Sequence, residues 1–108
     1  MALDVHILNS ATELPRTWPL LQITEEAHIA LFSGGSKIAA RCPILRRMWD
    51  YYADVHFTGA ELQGLIGELN SLLSTLSPKT SEYPLLSQLL EICRRAEREG
   101  KVVVCFAD

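Results

Sequence analysis

Residues 101–108 read KVVVCFAD, and the reading of this stretch decides the fold. At the two-residue period of a strand, Val102, Val104 and Phe106 fall on one face and Val103, Cys105 and Ala107 on the other. Both faces are apolar. A strand of that kind needs cover on both sides, so it is expected at the centre of a sheet. The other end of the chain supplies a neighbour. In LDVHILN (3–9), Leu3, Val5 and Ile7 alternate with Asp4, His6 and Leu8, which predicts a strand with one well-buried face. The two terminal strands are expected to pair, because a lone strand has no stability of its own.

Between them the pattern turns helical. AELQGLIGELNSLLSTL (60–76) carries a stripe through Leu62, Leu65, Ile66, Leu69, Leu72, Leu73 and Leu76. Thr58 and Glu61 fit a capping box ahead of it. Gly64 and Gly67 interrupt the stripe's flank and are read as sites where another backbone approaches closely. SPKTSEYP (77–84) is a turn-rich link. LLSQLLEICRRAEREG (85–100) repeats the helical period through Leu86, Leu89, Leu90, Cys93 and Ala96, with Gly100 as its stop.

Three segments in the first half complete the chain. Residues 10–20 hold Pro15 and Pro19 and read as an irregular connection. In TEEAHIALF (24–32), Thr24 is expected to cap a helix with Glu25 and Glu26 in its first turn, on which Ala27, Ala30 and Leu31 share a face. A short strand over HIALF is the alternative. SGGSK (33–37) reads as a turn. PILRRMWDYYA (43–53) predicts a helix with Leu45, Met48, Trp49 and Tyr52 on one stripe and an Arg46–Asp50 pair on the exposed side. DVHF (54–57) then alternates as a short strand or extended link. The expected architecture is one globular domain over 1–108, of the α/β class with α+β possible. A small sheet containing the N- and C-terminal strands packs with three to four helices.

Composition narrows the function classes. The 108 residues are 48% hydrophobic and 21% charged, as in an ordinary globular domain. Thirteen acids against ten bases leave a net charge of −3 and no basic stripe, so neither nucleic acid nor anionic membrane is an expected partner. MALDVHILNS carries no basic segment of the signal-peptide kind, and no apolar run has the length of a membrane span. Cys42, Cys93 and Cys105 are an odd number without paired spacing, which points to a reducing, cytoplasmic setting.

The same residues offer little catalytic chemistry. FSGGSK lacks the spacing of a phosphate loop. His6, His28, His56 and the cysteines contain no paired metal-ligand spacing, so no metal and no cofactor is expected. Cys42 precedes Pro43 at an expected helix start, where the helix dipole favours a thiolate. Asp54 and His56, two apart on a strand, point the same way. MWDYYADVHF (48–57) is therefore read as a packing seam with an acidic, aromatic edge, and Asp50, Tyr51, Asp54 and His56 are the candidate partner-binding residues.

TEEAHIALF, PILRRMWDYYAD, FTGAELQGLIGELNSL and ICRRAEREGKVVVCFAD together resemble small bacterial proteins of unassigned function. Some of those are similar to the immunity proteins of polymorphic toxin systems, which are small, acidic, cytosolic and non-enzymatic. The resemblance implies a toxin domain as partner, with acidic surface complementing a basic active site. It carries over no individual functional residue. The expected function is a non-enzymatic protein-binding domain. The alternatives are a small enzyme or ligand-binding domain with a pocket near Asp54 and His56, with Cys42 beside it, and a homodimeric structural protein.

Overall fold

The structure, a computed structural model, describes residues 2–32, 42–48, 50 and 53–107. Among them, four strands form one sheet: β1 (Ala2–Leu8), β2 (Leu21–Thr24), β3 (Val55–Phe57) and β4 (Val102–Ala107). Their order is β2-β1-β4-β3, antiparallel throughout. Three helices accompany them: α1 (Glu25–Phe32), α2 (Gly59–Thr75) and α3 (Tyr83–Glu99). The result is a small α/β fold with the terminal strands adjacent, as the alternation at the two ends requires.

β4 lies inside the sheet, and Val103, Val104 and Cys105 are buried. Leu3 stands opposite Ala107, and Leu8 opposite Val102. Residues paired across strands share a face. Leu3, Val5, Ile23, Val55, Phe57, Val103 and Cys105 therefore line one side of the sheet. That side joins Leu62, Leu65 and Leu69 of α2 and Leu86, Leu89 and Cys93 of α3 in a single core. Leu8 and Val104 are buried on the opposite face, beside His6.

α2 and α3 form a helical hairpin between β3 and β4, so two antiparallel neighbours are joined without a crossover. α3 ends as its sequence predicts. Gly100 adopts φ 67°, Lys101 N–H donates to Ala96 C=O at 2.8 Å, and Gly100 N–H donates to Glu97 C=O at 3.2 Å. This double bond pattern turns the chain directly into β4. At the start of α2, Thr58 holds the N-cap position but bonds no backbone N–H with its side chain. Its hydroxyl instead lies 3.4 Å from Glu61 Oε1, so half of the expected capping box is replaced by a side-chain contact.

Four expectations are corrected. Leu21–Thr24 is a strand, where residues 21–23 carry no expected element and Thr24 is expected only as a helix cap. TEEAHIALF is a helix as favoured, with Thr24 Oγ1 accepting from Ala27 N–H at 3.2 Å, but its buried residues are His28 and Leu31 and Ala30 is exposed. Of the expected helix over 43–53, the described residues hold a single 3-10 turn, Leu45–Met48. Its three-residue period places Leu45 and Met48 on one buried side, and Asp50 and Ala53 lie outside any helix. Trp49 and Tyr52, and the turn at 33–37, lie outside the described residues.

The fourth correction concerns Gly64. A Cβ there meets the Ile44 side chain, so the glycine admits a side chain and not a backbone. Gly67 has no heavy atom of a described residue within 4 Å of a Cβ position. Replacing Gly67 with alanine should therefore stabilise the protein by about 1 kcal/mol through helix propensity alone. Gly64→Ala should return less, since Ile44 must leave its rotamer at a cost of about 0.5–1.5 kcal/mol. Urea midpoints of the two variants check the order, and equal gains would contradict the packing of Ile44 on α2.

Candidate functional site

Of the four candidate residues, Asp50, Asp54 and His56 are exposed, His56 on the edge strand β3 and Asp54 just before it, and Tyr51 lies outside the described residues. Asp54 is engaged in the sheet. Its Oδ1 accepts the backbone N–H of Ala107 at 2.8 Å. β3 begins only at Val55, so Ala107 has run past the last strand residue able to pair with it. The carboxylate takes the place of the missing strand carbonyl. Asp54 is thus a fold residue first, and the stretch 48–57 is not one acidic patch of equivalent groups. His56 shares a cross-strand row with Val104 and His6. Two strand spacings, about 10 Å, separate the two imidazole-bearing positions. Among the described residues no group of three histidines, cysteines or acids is placed to hold a metal ion.

The candidate nucleophile is also absorbed by the fold. Cys42 is buried at the foot of the 3-10 turn, where its C=O accepts from Arg46 N–H at 2.8 Å. A four-residue turn has little of the dipole that the expected helix would have supplied. Cys93 and Cys105 are core residues as predicted. Burial pushes the Cys93 thiol up to about 12 and raises that of Cys105 further. Neither supplies a thiolate near neutral pH.

The 42–48 segment is held from two sides by residues that carried no signal in sequence. Glu68 on α2 receives Ile44 N–H on both carboxylate oxygens, at 3.1 and 3.0 Å, and Leu45 N–H on Oε1 at 2.8 Å. A side chain far along the chain thus caps the turn that no local residue caps. From α1, His28 Nε2 lies 2.7 Å from the Met48 carbonyl, and its ring is tilted against Phe32. Arg47 pairs with Glu61 and stands 5.1 Å over the Phe57 ring. Beside Glu68, a cleft of about 260 Å³ is lined by Cys42, Gly67, Ser71, Leu72 and Thr75. It borders one buried thiol and a carboxylate already filled with backbone donors, and no histidine lines it.

The exposed apolar side chains lie elsewhere. In the connection from β1 to β2, Leu14 is 75% exposed, Trp18 88% and Leu20 46%. Their sequence signal was available: Trp18 stands between Pro15 and Pro19, with no strand or helix period to bury it. Compared with protein-family models, with curated proteins and with solved structures, the chain matches none.

Two measurements test this description. Glu68→Ala strips two backbone donors of a charged acceptor and should cost about 2–3 kcal/mol. Amide exchange at Ile44 and Leu45 should accelerate, and Glu68→Gln should cost less because one acceptor remains. A Glu68→Ala variant of unchanged stability would remove the carboxylate from the account of this turn. The second measurement concerns His6. Burial lowers its pKa from 6.5, against the opposing pull of Asp4. The unfolded chain therefore holds the extra proton between the two values. His6 contributes its stability in full above pH 6.5, and that contribution is lost as pH falls from there through the lower folded value. Ring-proton NMR should give a His6 midpoint below 6.5, and His6→Gln should flatten the stability profile over that range. A midpoint at or above 6.5 would contradict it.

Proposed function

We propose that this domain acts by binding another protein and carries out no chemistry of its own. The observation that supports this reading is the outward placement of Leu14, Trp18 and Leu20. Tryptophan is the residue type most enriched among energetic anchors of protein interfaces. Two flanking prolines limit the freedom that ordering the loop would remove. Against an enzyme stand the burial of Cys42, the engagement of Asp54 by Ala107, and the two backbone N–H groups that Glu68 accepts from the turn.

The specific form favoured by the sequence resemblance is a bacterial, cytoplasmic immunity protein that neutralises a toxin domain. The net charge of −3 and the exposed Asp50, Glu25 and Glu26 suit a basic partner surface. Asp50, Tyr51, Asp54 and His56 remain the second surface proposed for that partner, with Asp54 contributing through the sheet edge that it completes.

Affinity capture from a bacterial lysate, with wild-type protein and a Trp18→Ala/Leu14→Ser variant side by side, tests the proposal. Removing an anchor tryptophan costs at least about 2 kcal/mol, so captured partner should fall by at least about thirtyfold. The variant should keep its stability, since both residues are exposed. Equal capture by the two proteins would exclude this loop. Loss of capture in an Asp50→Asn variant instead would move the site to the β3 end.

A further inference from the structure

The hydrogen-bonding direction of each strand residue follows from one contact. Ala107 N–H points toward the β3 side of β4, where Asp54 receives it. Antiparallel strands alternate the direction of their backbone groups residue by residue. Val103 and Cys105 therefore bond toward β3, and Val104 and Phe106 toward β1. Their partners in β1, His6 and Asp4, are turned to β4, which leaves Leu3 and Val5 for β2. Val5 C=O does accept from Leu20 N–H, at 2.9 Å. Leu21 and Ile23 are thus spent on β1. The N–H and C=O of Gln22 and the N–H of Thr24 point away from the sheet, and among the described residues no strand pairs with them.

The two edges of the sheet are not equivalent. At β3 only His56 has outward backbone groups, and the strand is three residues long. β2 carries neither the charge nor the proline with which edges are commonly blunted. It is flanked by exposed Leu20 and Trp18 on one side. On the other, a hollow of about 540 Å³ is bordered by Thr24, Glu25, Glu26 and Ile29, the last 50% exposed. A half-exposed isoleucine beside two glutamates suits the stem and head of a lysine or arginine.

We propose that β2 is a docking edge that takes an added strand from a basic partner protein. The proposal rests on the protein-binding reading above and gives that partner its chemistry. Residues 9–32 hold Glu13, Glu25 and Glu26 against Arg16 alone, and Gln22 Nε2 is 3.2 Å from the Asp4 carboxylate beside it. A strand with basic side chains finds both open backbone groups and opposite charge there.

The probes are synthetic peptides of about ten residues, the length that spans such an edge. One alternates lysine with valine, one alternates glutamate with valine, and one is the lysine peptide with every second amide N-methylated. Nitrogen–proton NMR reads the amides, and fluorescence reads the tryptophans. The lysine peptide should shift and protect the Gln22 and Thr24 amides. The glutamate and N-methylated peptides should bind at least about tenfold more weakly. Gln22→Pro removes one outward N–H and should weaken binding by a similar factor, whereas Gln22→Ala keeps the backbone and should change it by less than about twofold. Thermal melts and native thiol counts confirm that both variants are folded.

Lysine-peptide binding unaffected by Gln22→Pro and by N-methylation would overturn strand addition. So would shifts confined to Asp50 and His56, or no shift at β2. Concentration-dependent dimerisation that protects the same amides would overturn the basic partner in favour of a second copy. Each of these outcomes leaves the lysate capture standing on its own, so the failure of this proposal and of the protein-binding reading are distinguishable.

Discussion

A strand buried on both faces must also be hydrogen-bonded on both edges, and β4 meets that double demand. Its backbone groups alternate between β1 and β3, and its side chains alternate between the helical core and the face of Leu8 and His6. Each neighbour is set by this requirement. β1 has length enough to pair along all of β4, but β3 has only three residues and leaves Ala107 beyond its end. An unpaired N–H in the sheet interior is worth a hydrogen bond, about 1 kcal/mol net and more when buried. Asp54 supplies it from a side chain. The α2–α3 hairpin covers the apolar side, and the Gly100 turn delivers the chain back into β4 at the register that α3 fixes.

Elements whose stabilising contacts follow their own period were legible. β1, β4, α2 and α3 each bury a stripe that repeats at two or at three to four residues, and Gly100 marks the end of α3 where only a positive φ closes it. The failures share a different cause. Residues 45, 48, 49 and 52 fit a helical stripe, yet the described residues hold one turn, Leu45–Met48, whose first donors are met by Glu68 from another helix. On α2, Glu68 is indistinguishable in sequence from any charged residue of a flank. β2 carries the right alternation, Leu21 and Ile23 against Gln22 and Thr24, but only for four residues that run directly into a helix cap. A period so short cannot outweigh the capping signal beside it.

The candidate site divided along the same line. The sequence placed Asp54 and His56 together on a short strand; His56 lies on β3 and both are exposed, but Asp54 stands one residue before the strand begins. What periodicity could not carry was the end of β3, which turns Asp54 from a surface charge into a ladder member. Trp18 is the opposite case: its loop has no period, so periodicity says nothing about it. An apolar aromatic without a periodic partner, set between prolines, is itself a signal, since nothing local offers to bury it.

The chemistry-bearing groups have been drawn into holding this small fold together. His28 and Glu68 clamp the 42–48 segment from α1 and α2, Cys93 and Cys105 fill the core, and Asp54 completes the sheet. Glu68 gives both carboxylate oxygens to the backbone N–H groups of Ile44 and Leu45, and a thiol with a pKa near 12 is a small apolar side chain in all but name. Among the described residues, interactions left unspent at the surface include apolar area at Trp18 and backbone groups at Gln22 and Thr24. Both lie on the β1–β2 side, because β1 must give one edge to β4 and, among the described residues, the short β2 is the strand that covers the other. The constraint that puts β4 at the centre is thus also what leaves the opposite edge open.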